Sequence, residues 1–288
     1  MARWRIGVVQ VAPELGQVEK NTQKVIDVTS KLRPGSLDLL CMPEMVLTGY
    51  TFPSAEAIRP YLEHPETGPT SICCRDLAKR LRCHVMAGYP EAIPDSDSDS
   101  DSSDNLVGYN SALIYGPDGK YLGGYRKTNL FNTDMPWARA GDGFQIYNLG
   151  DILGRISLGI CMDLNPFPSA VWTSLDDGPY ELAAYVKEQD TRLLVILCAW
   201  LDSKDDPAKR WDLRTADYWL TRLLPLWYAK NGTTSEKETI VVVCNRCGSE
   251  DDTLFAGTSA IFRLIHGEKP QFIGIMSRTE EDVRVWEV

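Results

Sequence analysis

Three polar side chains in this sequence stand where a run of strand-forming residues stops. Residues 37–42 lead into Pro43-Glu44, residues 121–125 into Arg126-Lys127, and residues 155–160 into Cys161-Met162-Asp163. A thiol is a weak nucleophile until it is deprotonated, and a nearby carboxylate can take its proton while a lysine ammonium stabilises the thiolate. The same ammonium, together with the backbone N–H of Met162, can hold the oxyanion that forms when a carbonyl or nitrile carbon is attacked. Glu44 can then protonate a departing amine and activate the water that hydrolyses a thioester. Each residue alone has a plainer reading. Cys161 resembles a buried small hydrophobe, Lys127 a solvated hairpin end, and Glu44 a turn residue.

The elements that must position these groups follow from hydrophobic period and turn signals. Strands are expected over 4–11, 37–42, 84–89, 109–115, 121–125, 144–149, 155–160, 193–198, 239–245, 258–265, 271–275 and 283–288. Helices are expected over 18–32, with Val25, Ile26 and Leu32 on one side and Pro34-Gly35 as the stop, and from Gly68-Pro69-Thr70 to Arg82. Two more are expected over 180–189 and 211–230, the last kinked or ended early by Pro225. Helices alternate with doubly apolar strands, which predicts a layered α/β architecture with one core. Residues 1–288 are read as a single domain. In such sheets the carboxyl ends of strands are where sites are built, so Glu44, Lys127 and Cys161 are placed to converge.

Composition narrows the function classes. Of 288 residues, 43% are hydrophobic and 24% charged, which suits a soluble globular enzyme. The net charge of −10 owes much to Asp95, Asp97, Asp99, Asp101 and Asp104, which lie in an Asp/Ser run over about 94–105 read as a solvated loop. An acidic chain without a Lys/Arg-rich stripe lacks the footprint of a nucleic-acid binder. No apolar stretch approaches the roughly 20 residues of a membrane span, and no signal peptide is visible. Eight cysteines, several inside apolar runs, read as buried thiols in a reducing, cytoplasmic setting. Cys244 and Cys247 have the spacing of a metal or redox pair but lack a second pair, so no metal is expected. His64, His84 and His266 sit in no motif that would make a Cys-His dyad, and no Gly-rich phosphate loop implies a nucleotide cofactor. No cofactor is expected.

Taken in order, Pro43-Glu44 with Thr48-Gly49-Tyr50, then 125–131 (YRKTNLF), then 159–163 (GICMD) resemble the three motifs of the nitrilase, or carbon–nitrogen hydrolase, superfamily. The resemblance covers nearly the whole chain. It implies a four-layer α-β-β-α sandwich, a Glu-Lys-Cys triad of Glu44, Lys127 and Cys161, and a monomer or a face-to-face homodimer. Within the superfamily the chain is most similar to fungal protein N-terminal amidases. The residues that carry this likeness are 161–167 (CMDLNPF), 198–201 (CAWL), and 244–250 (CNRCGSE) followed by 255–259 (FAGTS). That implies deamidation of N-terminal Asn and Gln of peptides or proteins, with release of ammonia. Many superfamily members carry a second glutamate after the lysine motif, and here the nearest carboxylate is Asp134. A free α-amine demands a carboxylate or carbonyl partner, so Asp134, and after it Asp163, are expected at the substrate's ammonium, with a structural hydrogen-bond acceptor beside the nucleophile turn as the plainer reading of Asp163. Trp137 and Trp200 are candidates to wall the pocket, with packing in the core as the plainer reading of each. A small-molecule amidase such as an ω-amidase or carbamoylase, and a non-catalytic binding protein on the same scaffold, stay open as alternatives.

Overall fold

The computed structural model describes residues 3–94, 106–171, 174–175, 177–229 and 237–288. The first half supplies β1 (Arg5–Gln10), α1 (Val18–Thr29), β2 (Leu39–Cys41), α2 (Ala55–Ile58), α3 (Pro69–Leu81), β3 (His84–Ala92), β4 (Gly108–Tyr115) and β5 (Tyr121–Arg126). The second supplies β6 (Gln145–Asn148), α4 (Gly150–Leu153), β7 (Arg155–Ile160), α5 (Glu181–Glu188), β8 (Leu193–Cys198), α6 (Leu213–Arg222) and α7 (Leu224–Trp227). It continues with β9 (Glu238–Asn245), β10 (Ser249–Glu250), β11 (Thr253–Leu254), β12 (Ala260–Ile265), β13 (Gln271–Ile275) and β14 (Asp282–Glu287).

Two six-stranded sheets result, ordered β14-β1-β2-β3-β4-β5 and β13-β12-β9-β8-β7-β6. The inner pairs β1/β2, β2/β3, β7/β8 and β8/β9 are parallel, and antiparallel strands flank them. Parallel strands need both faces covered. Strand alternation shows how this is met: Ile6, Val8, Leu39 and Cys41 share a buried core with the second sheet, while Val9, Leu40 and Met42 pack with Val25 of α1 and Leu77 and Leu81 of α3. Leu182 and Val186 of α5, Trp219 of α6 and Leu226 of α7 pack against the second sheet. The layers are therefore α-β-β-α, as the resemblance implies.

Some local readings change. In α1 the buried face is Asn21, Val25 and Thr29, spaced four apart, and Ile26 is exposed. Asn21 is buried because its side chain donates to Leu47 O and Glu14 O, both at 2.8 Å, and accepts from Glu14 N. The helix expected over 211–230 is two: α6, capped by Asp212 accepting from Thr215 N, and α7, which places Pro225 in its first turn where the missing N–H is harmless. Gly150-Asp151 opens the short helix α4, and the stretch after Gly248 forms the small hairpin β10–β11. Most of the Asp/Ser run, 95–105, and Lys230 lie outside the described residues.

Candidate active site

Glu44 follows β2 by three residues, Lys127 directly follows β5, and Cys161 directly follows β7. The segment after Glu44 is tied down from the second half of the chain. Glu250 accepts from the backbone N–H groups of Tyr50 and Thr51 and pairs with the buried Arg246. On the other side, Gly88 of β3 lets two backbones meet, because a Cβ there would lie 2.5 Å from Glu44 Cα. The Lys127 backbone is fixed at both ends, its N–H donating to Asn110 O and its C=O accepting from Gly141 N, each at 2.8 Å.

These strand ends assemble one buried charge network. Lys127 Nζ donates to Glu44 Oε1 at 2.7 Å and to Asp134 Oδ2 at 2.6 Å, and all three side chains are fully buried. Asn110 Nδ2 bridges the same two carboxylates, at 2.7 Å to Glu44 Oε1 and 2.9 Å to Asp134 Oδ1. Phe131 N donates to Asp134 Oδ2, and Ala199 N to Glu44 Oε2 at 2.7 Å. The Tyr50 ring lies beside the ammonium, its centroid 5.6 Å from Nζ. Burial opposes the charge on Lys127, but Asp134 and Glu44 outweigh it and hold the lysine well above its usual range, so it stays an ammonium. Burial, with Asp134 nearby, pushes the Glu44 carboxyl up despite Lys127.

Cys161 begins a single 3₁₀ turn, Cys161–Leu164, with φ +42°, a left-handed backbone that a non-glycine residue adopts only where its surroundings impose it. Asp163 imposes it. Its Oδ1 accepts from the N–H of Thr128 and Asn129, and its Oδ2 from Ile160 N at 2.8 Å and the Tyr125 hydroxyl at 2.8 Å. Burial raises the Asp163 carboxyl to about 6, an effect the Asn129 and Ile160 N–H groups only partly offset. Asn129 Nδ2 completes the brace by donating to the carbonyls of Met162, Asn165 and Pro166. The Cys161 thiol is pushed well up by burial, then by contact with the Cys198 thiol and by Glu44, while Lys127 pulls the other way. It therefore rests as a thiol and needs a base to become a nucleophile.

Cys161 lines a cavity of about 150 Å³ together with Phe131, Met162, Asn165, Trp200 and Leu201. Asn165 is oriented by the Tyr218 hydroxyl, which donates to its Oδ1 at 2.5 Å. Met162 lies in the first turn of the 3₁₀ segment, where leading N–H groups have no acceptor within the turn.

The structure thus brings Glu44, Lys127 and Asp134 together beside Cys161, and it places Trp200 and Met162 on the cavity wall. Two expectations are revised. Asp134 is fully buried in the Lys127 network, accepts from Lys127, Asn110 and Phe131 N, and is not among the residues lining the cavity, which places it away from a substrate ammonium; Asp163, also fully buried and off the cavity wall, accepts from four protein donors. Trp137 is a core residue, packed with Met45, Ile58 and Phe255 and donating from Nε1 to Thr133 O, and it does not line the cavity. Sequence reasoning missed Asn110. Its signal was a lone amide inside the fully buried strand β4, where a polar group must have a partner.

A buried carboxylate–ammonium pair beside a cysteine, on two sheets packed between helices, defines a class of cysteine hydrolase, and comparison with known proteins agrees. The family model for carbon–nitrogen hydrolases matches residues 5–183, and the chain belongs to that family. It is 33% identical to the protein N-terminal amidase of Schizosaccharomyces pombe, an alignment that spans 99% of each chain. Among solved structures, an N-terminal amidase with an Asn-Glu-Ala peptide superposes with a TM-score of 0.84 at 21% identity, covering 100% of this chain and 98% of that one. The same enzyme type with a Gln-Gly peptide superposes with a TM-score of 0.82 at 20% identity and the same coverage.

Proposed function

We propose that this chain deamidates N-terminal Asn and Gln of peptides or proteins, giving Asp or Glu and ammonia. The observation that carries the substrate is its full-length likeness to a protein N-terminal amidase. The network around Lys127 supports the chemistry.

Glu44 Oε1 and Oε2 hold three protein donors between them, which leaves lone-pair capacity for a proton. It takes the proton of Cys161 as the sulfur attacks the side-chain amide carbon. Lys127 has spent two of its three N–H bonds on Glu44 and Asp134, and the third, with Met162 N–H, stabilises the oxyanion. Collapse of the tetrahedral species passes the proton from Glu44 to nitrogen and ammonia leaves, with a thioester on Cys161. Glu44 then deprotonates a water that attacks the thioester, and the same proton returns to sulfur. In this reading Asp134 holds Lys127 charged and in place.

The substrate's α-ammonium anchors the first residue, and the second and later residues extend to solvent. Eight free, buried cysteines support a reducing compartment such as the cytoplasm. Incubation with an Asn-initiated peptide followed by rapid acid quench tests the reading. An acyl adduct confined to the Cys161 tryptic peptide is expected, and its absence during turnover contradicts the route.

A further inference from the structure

The nucleophile has a second thiol against it. Strands β7 and β8 run parallel in register as far as Ile160 opposite Leu197, and the residues that directly follow this pair are Cys161, which opens the 3₁₀ turn, and Cys198, which closes β8. After burial, which is the largest influence on both, each thiol shifts the other's protonation, Cys198 pushing Cys161 up and Cys161 pulling Cys198 down. Cys198 is fully buried, whereas Cys161 lines the cavity. None of the steps assigned to Glu44, Lys127 and Cys161 uses Cys198.

We propose that Cys161 and Cys198 form an oxidative modification site, in which a hydroperoxide oxidises Cys161 and Cys198 resolves the product to a reversible intramolecular disulfide. The proposal rests on Cys161 being the nucleophile. Neighbouring strands lie about 4.7 to 4.9 Å apart, and both cysteines directly follow a paired position, which brings their Cα atoms towards the roughly 4.4–6.8 Å range that a disulfide spans. A hydroperoxide is small enough to enter a cavity of about 150 Å³. Proton transfer to Glu44 exposes the Cys161 thiolate, which attacks the outer peroxide oxygen. The O–O bond breaks, the leaving oxygen takes a proton as water or alcohol, and Cys161 becomes a sulfenic acid. The Cys198 sulfur then attacks the Cys161 sulfur, the S–S bond forms, and the sulfenic hydroxyl leaves as water with the Cys198 proton. Two electrons pass from the two thiols to one hydroperoxide. An external dithiol reverses the change.

The neighbour also determines how damage ends. A sulfenic acid without a resolving thiol proceeds under further peroxide to the sulfinic acid, which thiols do not reduce. Cys198 therefore protects the nucleophile by trapping it in a recoverable form. The same burial that keeps Cys161 a thiol at rest makes oxidation slower than at an exposed low-pKa cysteine, so excess peroxide is the relevant probe.

The test treats the full chain with hydrogen peroxide and follows two readouts. Peptide mapping of the non-reduced protein is expected to show a Cys161–Cys198 cross-link, two hydrogen atoms lighter than the reduced pair, and dithiothreitol should restore ammonia release to its starting rate. In Cys198→Ala and Cys198→Ser the cross-link is lost, Cys161 gains two oxygen atoms, and dithiothreitol restores little activity. Mapping of the wild-type protein needs no variant to fold. Oxidation without a Cys161–Cys198 cross-link, or equal recovery of wild type and variants, would overturn the proposal. Ammonia release by the untreated protein reports separately on the function itself.

Discussion

Lys127 Nζ lies 2.6 Å from Asp134 Oδ2, as close as it lies to Glu44, so the ammonium is clamped between two buried carboxylates. A lysine with one partner can swing or lose its proton on burial; with two it is fixed in charge and direction. In the proposed mechanism the clamp aims the remaining N–H and leaves Glu44 as the base.

Asp134→Asn keeps the shape and removes one of the two charges. Breaking a buried pair costs on the order of 3 kcal/mol, and a lowered unfolding midpoint in urea should show it. Because Asp134 touches Lys127 and not the cavity, kcat should fall about 10- to 100-fold with KM shifting far less. A raised KM for Asn-initiated peptides with kcat intact would return Asp134 to the substrate's ammonium.

Glu44→Gln should lower kcat/KM by about 100- to 10,000-fold, the usual span for a lost general base. The pH profile gives an independent check. Burial raises the Glu44 carboxyl, and the base works only when ionised. Activity should therefore fall on the acid side with an apparent pKa above the ordinary glutamate value of about 4.3. An acid limb at or below that value would exclude Glu44 as the titrating base.

Asp163 predicts a stability change with a definite sign. Its folded-state carboxyl, near 6, is raised from 3.8, so the folded state binds the proton more tightly than the unfolded chain. That contribution is complete below pH 3.8 and is lost as pH rises through 6. By pH 7 ionised Asp163 costs about 3 kcal/mol relative to its protonated form. Compared with Asp163→Asn, the wild type should gain stability as pH is lowered from 7 to 4, read by denaturant titration at each pH. A flat difference across that window would contradict the assignment.

The two tryptophans separate core from pocket. Trp137→Ala should destabilise the fold by about 3 to 5 kcal/mol, while the activity of the folded fraction changes little. Trp200→Ala, at the cavity wall beside Tyr218, should raise KM about tenfold with a smaller effect on stability. Substrate titration and thermal melts on both variants distinguish the two roles.

Much of the architecture is legible in the sequence because doubly buried strands such as Leu193–Cys198 announce themselves as continuous apolar runs. Glu44, Lys127 and Cys161 were legible for a related reason, as polar residues that interrupt such runs at the sheet edge. What stayed hidden depends on contacts between distant segments. Asp134 reads as a substrate carboxylate until the fold sets it against Lys127, and Asn110 joins the site only when the fold brings its amide to both Glu44 and Asp134. Ile26 illustrates the local limit, since a turn of one residue around α1 decides whether an aliphatic side chain faces the sheet or water.

The central claim, that this chain acts on the side-chain amide of a free N-terminal Asn or Gln, is tested most directly by ammonia release from an Asn-initiated peptide and its N-acetylated counterpart. The free peptide should be turned over and the acetylated one should release almost no ammonia, because acetylation removes the charge that anchors the first residue. Equal turnover of the two would contradict the account and favour a general amidase.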